Sequence, residues 1–287
     1  MNEYDWMAER FEAHRGHLRA VAYRMLGSVS EADDAVQEAW LKLTRADTSD
    51  VTNLGGWLTT VVGRVCLDML RTRRARREEP LGVHVPEPII SRADGPDPEQ
   101  EALLADSVGL ALLVVLEQLA PAERLAFVLH DTFAVPFEEI GPILGRSPAA
   151  AKQLASRARR RVRGAEPMSD GDLAGQRAVV EAFLAAARGG DIEALLAVLD
   201  PDVVARPDKG PAVRGARTLA TNAVTYSRMG RAAVLALVNG VPGLVASDGE
   251  RVTSVMAFTI RGGKVTALDI LVDPDRLARL DISPLGQ

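Results

Sequence analysis

The chain has 287 residues, 47% hydrophobic and 25% charged, with a formal net charge of −5. This is globular composition and excludes a disordered or collagen-like chain. No apolar run approaches the roughly 18 residues of a membrane span, and the acidic start is unlike a signal peptide. The single cysteine, Cys66, excludes an intrachain disulfide and a cysteine-based zinc site, and the four histidines are scattered without metal-ligand spacing. A cytoplasmic protein with no metal, no cofactor and no membrane contact is expected. The net charge argues against a diffuse nucleic-acid coat, but two basic blocks stand out: residues 51–79 carry net +3 and residues 147–165 net +6. Such focused charge is the footprint of local phosphate contact; its alternative is a pair of solvated helix faces.

Helical spacing of Phe11, Leu18, Val21, Met25 and Leu26 marks a first helix, broken at Gly27-Ser28. A second helix carries Ala35, Val36, Ala39, Trp40 and Leu43, and Ser30 with Asp33 reads as its capping box. A third runs from Leu54 to Arg74 with Trp57, Leu58, Val61, Val65 and Leu70 as its apolar stripe, which places Trp57 in the core. It ends in Arg71, Arg73, Arg74, Arg76 and Arg77, more cations than a helix C-terminus needs. The first helical domain is therefore residues 1–79. Residues 80–100 hold Pro80, Pro86, Pro88, Pro96 and Pro98 and read as a stiff linker.

Helical periodicity returns near Glu99 and defines a second helical domain, 101–165. Its sharpest signal is Phe137–Arg163. A short amphipathic helix with Ile140, Ile143 and Leu144 inward meets a Gly145-Arg146 turn. Ser147 is then an N-cap, and Pro148 occupies the first helical position, where its missing N–H costs nothing. This is a helix-turn-helix pattern. The second helix places Ala149, Ala150, Lys152 and Gln153 at the end that meets base edges, followed by Ser156, Arg157 and Arg160. Agreement of cap, turn and one-sided charge favours DNA binding over a basic helical hairpin.

After a linker at 166–175 the pattern changes. Helices at Gln176–Arg188 and Arg217–Met229, with a short one after Asp191, are interspersed with strand-like runs at 203–206, 232–238, 244–247, 251–261 and 265–272. Asp248-Gly249 and Gly262-Gly263 are hairpin turns. Residues 176–287 thus form an α+β domain.

The order of motifs resembles the extracytoplasmic function (ECF) sigma factors of bacterial RNA polymerase. Glu31–Lys42 is similar to the polymerase-binding helix of sigma region 2. Gly56-Trp57-Leu58 with Arg64–Arg71 is similar to the helix of that region which melts and reads the −10 element. Leu119–Arg124 resembles the opening of region 4, and the helix-turn-helix its −35 reader. The resemblance implies a factor that binds core RNA polymerase and promoter DNA and directs initiation. Polymerase contact would fall to Asp33, Asp34, Gln37, Glu38 and Lys42, and −10 contact to Asn53, Arg64, Arg71, Arg73 and Arg74. The recognition helix would read the −35 element. The alternative is a helix-turn-helix regulator, independent of polymerase, whose C-terminal domain senses a small molecule or is an enzyme.

A narrower resemblance is to the SigJ-type subgroup, with a fused SnoaL-like domain, a Val85-Pro86-Glu87-Pro88-like linker and a terminal motif similar to Asp273-Pro274-Asp275-Arg276-Leu277. It implies a cone domain with a curved antiparallel sheet, and a regulatory role for that terminal motif. Pro207-Asp208-Lys209-Gly210-Pro211 departs from the glycine-rich turn usual there. An enzyme would need a buried acid–base pair, for which Asp202, Asp208, Tyr226, Asp248 and Asp269 are the candidates by type. No histidine follows residue 166 and no nucleophile–base spacing appears, so a non-catalytic domain is expected. The sequence leaves open whether that domain binds a ligand.

Overall fold

The computed structural model describes residues 3–46, 51, 53–75, 85–92, 109–165, 172–229, 232–249 and 251–282. Arg76, Arg77, Pro80, Pro96, Pro98 and the start of the helical stretch expected from Glu99 lie outside the described residues. The chain divides into two compact units. One comprises Met1–Glu79, Glu101–Asp106 and Val115–Glu166; the other comprises Pro80–Gln100, Ser107–Val114 and Pro167–Gln287. The connector after residue 79 therefore groups with the C-terminal part of the chain.

In the first unit α1 (Glu3–Leu26), α2 (Val29–Leu43) and α3 (Leu54–Ala75) pack on one another. Leu18, Met25, Leu26, Leu43, Leu58 and Leu67 are fully enclosed. The helix boundaries follow from local chemistry. The α2 cap is Ser28, whose hydroxyl accepts from the Glu31 N–H at 3.4 Å, not the Ser30–Asp33 box. Asp33 is instead held by Arg19 of α1 at 2.6 and 3.0 Å. Asn53 caps α3, its carboxamide oxygen 3.0 Å from the Gly56 N–H.

The chain continues through α4 (Leu110–Glu117), α5 (Pro121–Phe127), a π-helical turn (Val128–Thr132), α6 (Phe137–Leu144) and α7 (Pro148–Ala165). Both α5 and α6 pack against α3. The α6–α7 turn depends on two glycines. Gly145 sits at φ +63°, and a Cβ on Gly141 would lie 2.8 Å from the Arg146 carbonyl oxygen.

The second unit packs α8 (Leu173–Gly189), α9 (Ile192–Val198) and α10 (Ala216–Arg228) on one sheet. Val180, Phe183, Leu195, Leu219 and Val224 meet Leu244, Phe258, Ile260 and Leu268 in its core, with Phe183 and Phe258 edge to face at 5.3 Å. The strands are β1 (Ile90–Arg92), β2 (Leu199–Pro207), β3 (Val213–Arg214), β4 (Ala232–Val238), β5 (Val241–Ser247), β6 (Val252–Arg261) and β7 (Lys264–Leu271), ordered β1-β4-β5-β6-β7-β2-β3.

This order corrects the expected curved antiparallel cone sheet. The sheet is mixed and open, with β1 and β3 at its edges, and β2 pairs with β7 in parallel. Successive hairpins from β4 to β7 fix the direction of β7, and β2 lies beside it running the same way. β1 adds an antiparallel strand from within the proline-rich connector. It is fastened by Asn239, whose side chain accepts from the Ile89 N–H at 3.0 Å while its own N–H donates to the Ile89 carbonyl at 2.8 Å.

Candidate nucleic-acid interface

Two faces of the first helical unit and one turn of the second unit gather the residues singled out in the sequence. On α7, Ala151, Leu154, Ala155, Ala158 and Val162 are buried. Ala149, Lys152, Gln153, Ser156, Arg157 and Arg160 lie on the exposed side, with Ala150 half-buried at its margin. Their spacing puts them in one stripe along the helix. Lys152, Arg157 and Arg160 make no ion pair among the described residues, so their charges face solvent. Ser147 caps the helix, its hydroxyl 3.3 Å from the Ala150 N–H. Arg146, in the turn, is also exposed beside this stripe; the sequence treated it only as turn chemistry. Of the other arginines of the block, Arg163 is also exposed, while two are paired. Arg159 pairs with Asp131 at 2.6 Å, and Arg161 with Glu123 at 3.1 Å.

On α2, Asp34, Gln37, Glu38 and Lys42 share an exposed face with Leu41, which is 39% exposed. Glu38 and Lys42 form an i,i+4 pair at 3.0 Å, and Asp33 sits at the flank, engaged by Arg19. Leu41 is a single exposed apolar side chain on this otherwise polar face, and helical periodicity alone did not single it out.

Between α2 and α3 runs a groove of about 730 Å³, bordered by Glu38, Lys42, Trp57, Val61, Arg64 and Met69 among others. Trp57, expected in the core, is half-buried on its wall. Arg64 projects into solvent at its rim; Arg71 and Arg74 are exposed farther along α3. Arg71 lies 3.6 Å from Asp68, whereas Arg73 is drawn inward to Glu31 and the Leu26 carbonyl. Asn53 keeps its exposed position but spends its carboxamide oxygen on the α3 cap.

In the second unit, α11 (Pro274–Leu277) is capped by Asp273, which accepts from the Asp275 and Arg276 N–H groups. Lys209 sits 2.9 Å from Asp273, and their hydrogen bond lowers the pKa of the carboxyl and raises that of the ammonium. Arg276 donates to Asp208 at 3.1 Å and to the Val85 carbonyl in the connector. Asp208 also accepts from the Val272 N–H at 2.8 Å. Leu277 is buried and Pro274 opens the helix.

Two of the acid–base candidates are paired with arginines, a third closes a turn, and the other two lie at the surface. Asp269, 1% exposed, accepts from Nε and Nη2 of Arg206 at 2.7 and 2.8 Å, and burial pushes its pKa up against that pairing. Asp208 is held by Arg276. Asp248 closes its own hairpin on Arg251, Asp202 is exposed at its strand, and Tyr226 is 55% exposed. No group of His, Cys, Asp or Glu among the described residues has metal-site geometry, and no described helix is long and apolar enough to cross a membrane.

Residues 10–76 match the Sigma-70 region 2 family and residues 109–162 the Sigma-70 region 4 family. The chain is 42% identical to the ECF RNA polymerase sigma factor SigJ of Mycobacterium tuberculosis, covering 93% of this chain and 91% of that protein. It is 36% identical to a probable ECF RNA polymerase sigma factor, SigI, of the same species, over 96% of this chain and 97% of that one. The crystal structure of M. tuberculosis SigJ superposes with a TM-score of 0.77 at 39% identity, covering 96% of this chain and all of that one.

Proposed function

This chain belongs to the ECF family of RNA polymerase sigma factors, and we propose that the exposed stripe of α7 is its −35 reader. As a sigma factor it binds core RNA polymerase and directs promoter recognition. The observation that carries the assignment is the division of the basic block, in which Lys152, Arg157 and Arg160 are solvent-facing on one stripe while Arg159 and Arg161 are paired. A long cation beside small Ala149 and Ala150 suits close approach to a duplex groove. The test is holoenzyme binding to a promoter duplex selected from a randomised library with the wild-type protein. Arg157→Ala or Arg160→Ala should each cost about 1–3 kcal/mol where a bidentate base contact is lost. Where a phosphate contact is lost, the slope of log K against log salt should shrink by about 0.9. Unchanged affinity and slope in both variants would refute the assignment.

The −10 side of the reading places Arg64, Arg71 and Arg74 on phosphates and Trp57 and Asn53 near unstacked bases, with Arg73 holding α3 to α2 rather than touching DNA. Aromatic surfaces and cations are what single-stranded DNA requires. The exposed face of α2, with Asp34, Gln37, Glu38, Leu41 and Lys42, is the surface offered to core polymerase; Asp33 supports that face through Arg19.

The C-terminal unit acts as a regulator without catalysis, a reading supported by the commitment of Asp208 and Asp269 to arginines. Its lever is the connector between the helical modules, held by β1, Asn239 and Arg276. Loss of Arg276 removes the hydrogen bond to Val85 and leaves Asp208 without its cation. In Arg276→Ala the connector should open locally, so that trypsin cleaves after Arg92 about tenfold faster, which corresponds to about 1.4 kcal/mol of lost protection. Cleavage at the wild-type rate would show that Arg276 does not restrain the connector.

A further inference from the structure

We propose that Asp131, His130 and Arg159 form a clamp that sets the angle of the recognition helix, making Arg159 a positioning residue rather than a DNA contact. The proposal rests on the −35 reading of α7. Arg159 lies about 200° around the helix axis from Arg157, on the Lys152 flank of the exposed stripe, and is half-buried there. Its Nε donates to Asp131 Oδ1 at 2.6 Å, and its Nη2 lies 3.3 Å from His130 Nδ1. Only 30% of the Arg159 side chain and 23% of the Asp131 side chain is exposed. The His130 ring stacks on Phe137, the first residue of α6, at 3.9 Å with an interplanar angle of 9°. One guanidinium thus links the recognition helix to the π-helical turn and, through the stacked rings, to the start of the supporting helix.

The backbone around these residues is shaped to present them. The π-helical turn spans Val128–Thr132, and Ala134 follows at φ +53°, a left-handed conformation unusual for alanine. The Val135 N–H closes the turn on the Leu129 carbonyl at 2.9 Å. A charge-assisted contact of fixed planar geometry holds an orientation better than apolar packing, which permits sliding. Of Ala151, Leu154, Ala155, Ala158 and Val162, which α7 buries, three are small alanines, so beyond Leu154 and Val162 little side-chain shape opposes rotation.

The experiment exploits a difference in sign. Asp131 is an anion close to a phosphate-binding surface, so simple electrostatics makes Asp131→Ala bind DNA more tightly. The clamp makes it bind more weakly. With full-length variants assembled with core polymerase on the selected duplex, Asp131→Ala and Arg159→Ala should each weaken binding about tenfold, as loss of a charge-assisted bond implies. Neither should shrink the salt slope as Arg157→Ala does, and the double variant should be no worse than either single one. Asp131→Asn, which still accepts from Arg159, should retain most of the affinity. Unchanged thermal unfolding would separate positioning from stability.

Tighter or unchanged binding in Asp131→Ala, with loss in Arg157→Ala, would overturn the clamp and leave the reading face standing. A salt slope that falls by about 0.9 in Arg159→Ala would make Arg159 a phosphate contact and overturn the proposal. No loss in any variant, Arg157→Ala included, would refute the −35 assignment itself.

Discussion

Reversing charge on the exposed face of α2, with Asp34→Arg and Glu38→Arg together, is expected to abolish co-purification with core RNA polymerase. Both side chains lie in solvent, and neither caps a helix nor fills the core. Among the described residues, the one ion pair on that face, Glu38 with Lys42, is an exposed i,i+4 contact worth about 0.3–0.5 kcal/mol. The fold should therefore survive, with unfolding within about 0.5 kcal/mol of wild type. Like charges juxtaposed across an interface cost several kcal/mol, about two to three decades in affinity. Leu41→Ala should weaken the same interaction more modestly, because it removes apolar area and no charge. Stoichiometric recovery of the double variant with core enzyme would return this face to the solvent and move the polymerase contact elsewhere on the molecule.

The largest effect on stability should come from Arg124. Its Nη1 donates at 2.8 Å to both the Glu117 carboxylate and the Met25 carbonyl at the end of α1, so it links α5 to the three-helix module. The side chains of Arg124 and Glu117 are only 3% and 12% exposed. Arg124→Ala strands a largely buried carboxylate and a helix-terminal carbonyl, which costs about 3–5 kcal/mol. The melting midpoint should fall by about 10 °C. The penalty lies mainly in the unpaired charge, not in lost attraction. Arg124→Met with Glu117→Leu should therefore be clearly more stable than Arg124→Ala. A double variant as unstable as the single one would show that the pair's geometry, rather than charge burial, is what the joint requires.

Much of the candidate site was legible because it is written in local chemistry. Ser147, Pro148 and Gly145 specify the α6–α7 turn within a few residues, and the exposed stripe of α7 follows from helical period alone. The α2 face is equally local, since Asp34, Gln37, Glu38 and Lys42 recur at helical spacing. The hairpin at Gly262-Gly263 formed as its dipeptide requires, with both glycines at positive φ. The motifs resembling sigma regions 2 and 4 occur in order along the chain, and the relatives bear out the family.

Tertiary structure decided which charges are available. Nothing in the run Arg157–Arg163 distinguishes Arg159 and Arg161 from Arg157 and Arg160 until Asp131 and Glu123 arrive from another part of the chain. Arg73 looks like its neighbours Arg71 and Arg74, yet Glu31 of α2 captures it. Trp57 has core spacing on its own helix but lines a groove, because burial depends on what the opposite helix supplies. The mixed sheet was unreadable for the same reason. Alternation defines a strand's faces but carries no record of its partner's direction, and the β2–β7 pairing joins residues more than sixty positions apart. Composition marks the connector as proline-rich; only the edge of β4 and the side chain of Asn239 make three of its residues a strand. The sequence determined helix ends, turns and exposed stripes, which short-range hydrogen bonds and periodicity settle. The fold decided partners, because pairing energy is realised only where distant segments meet.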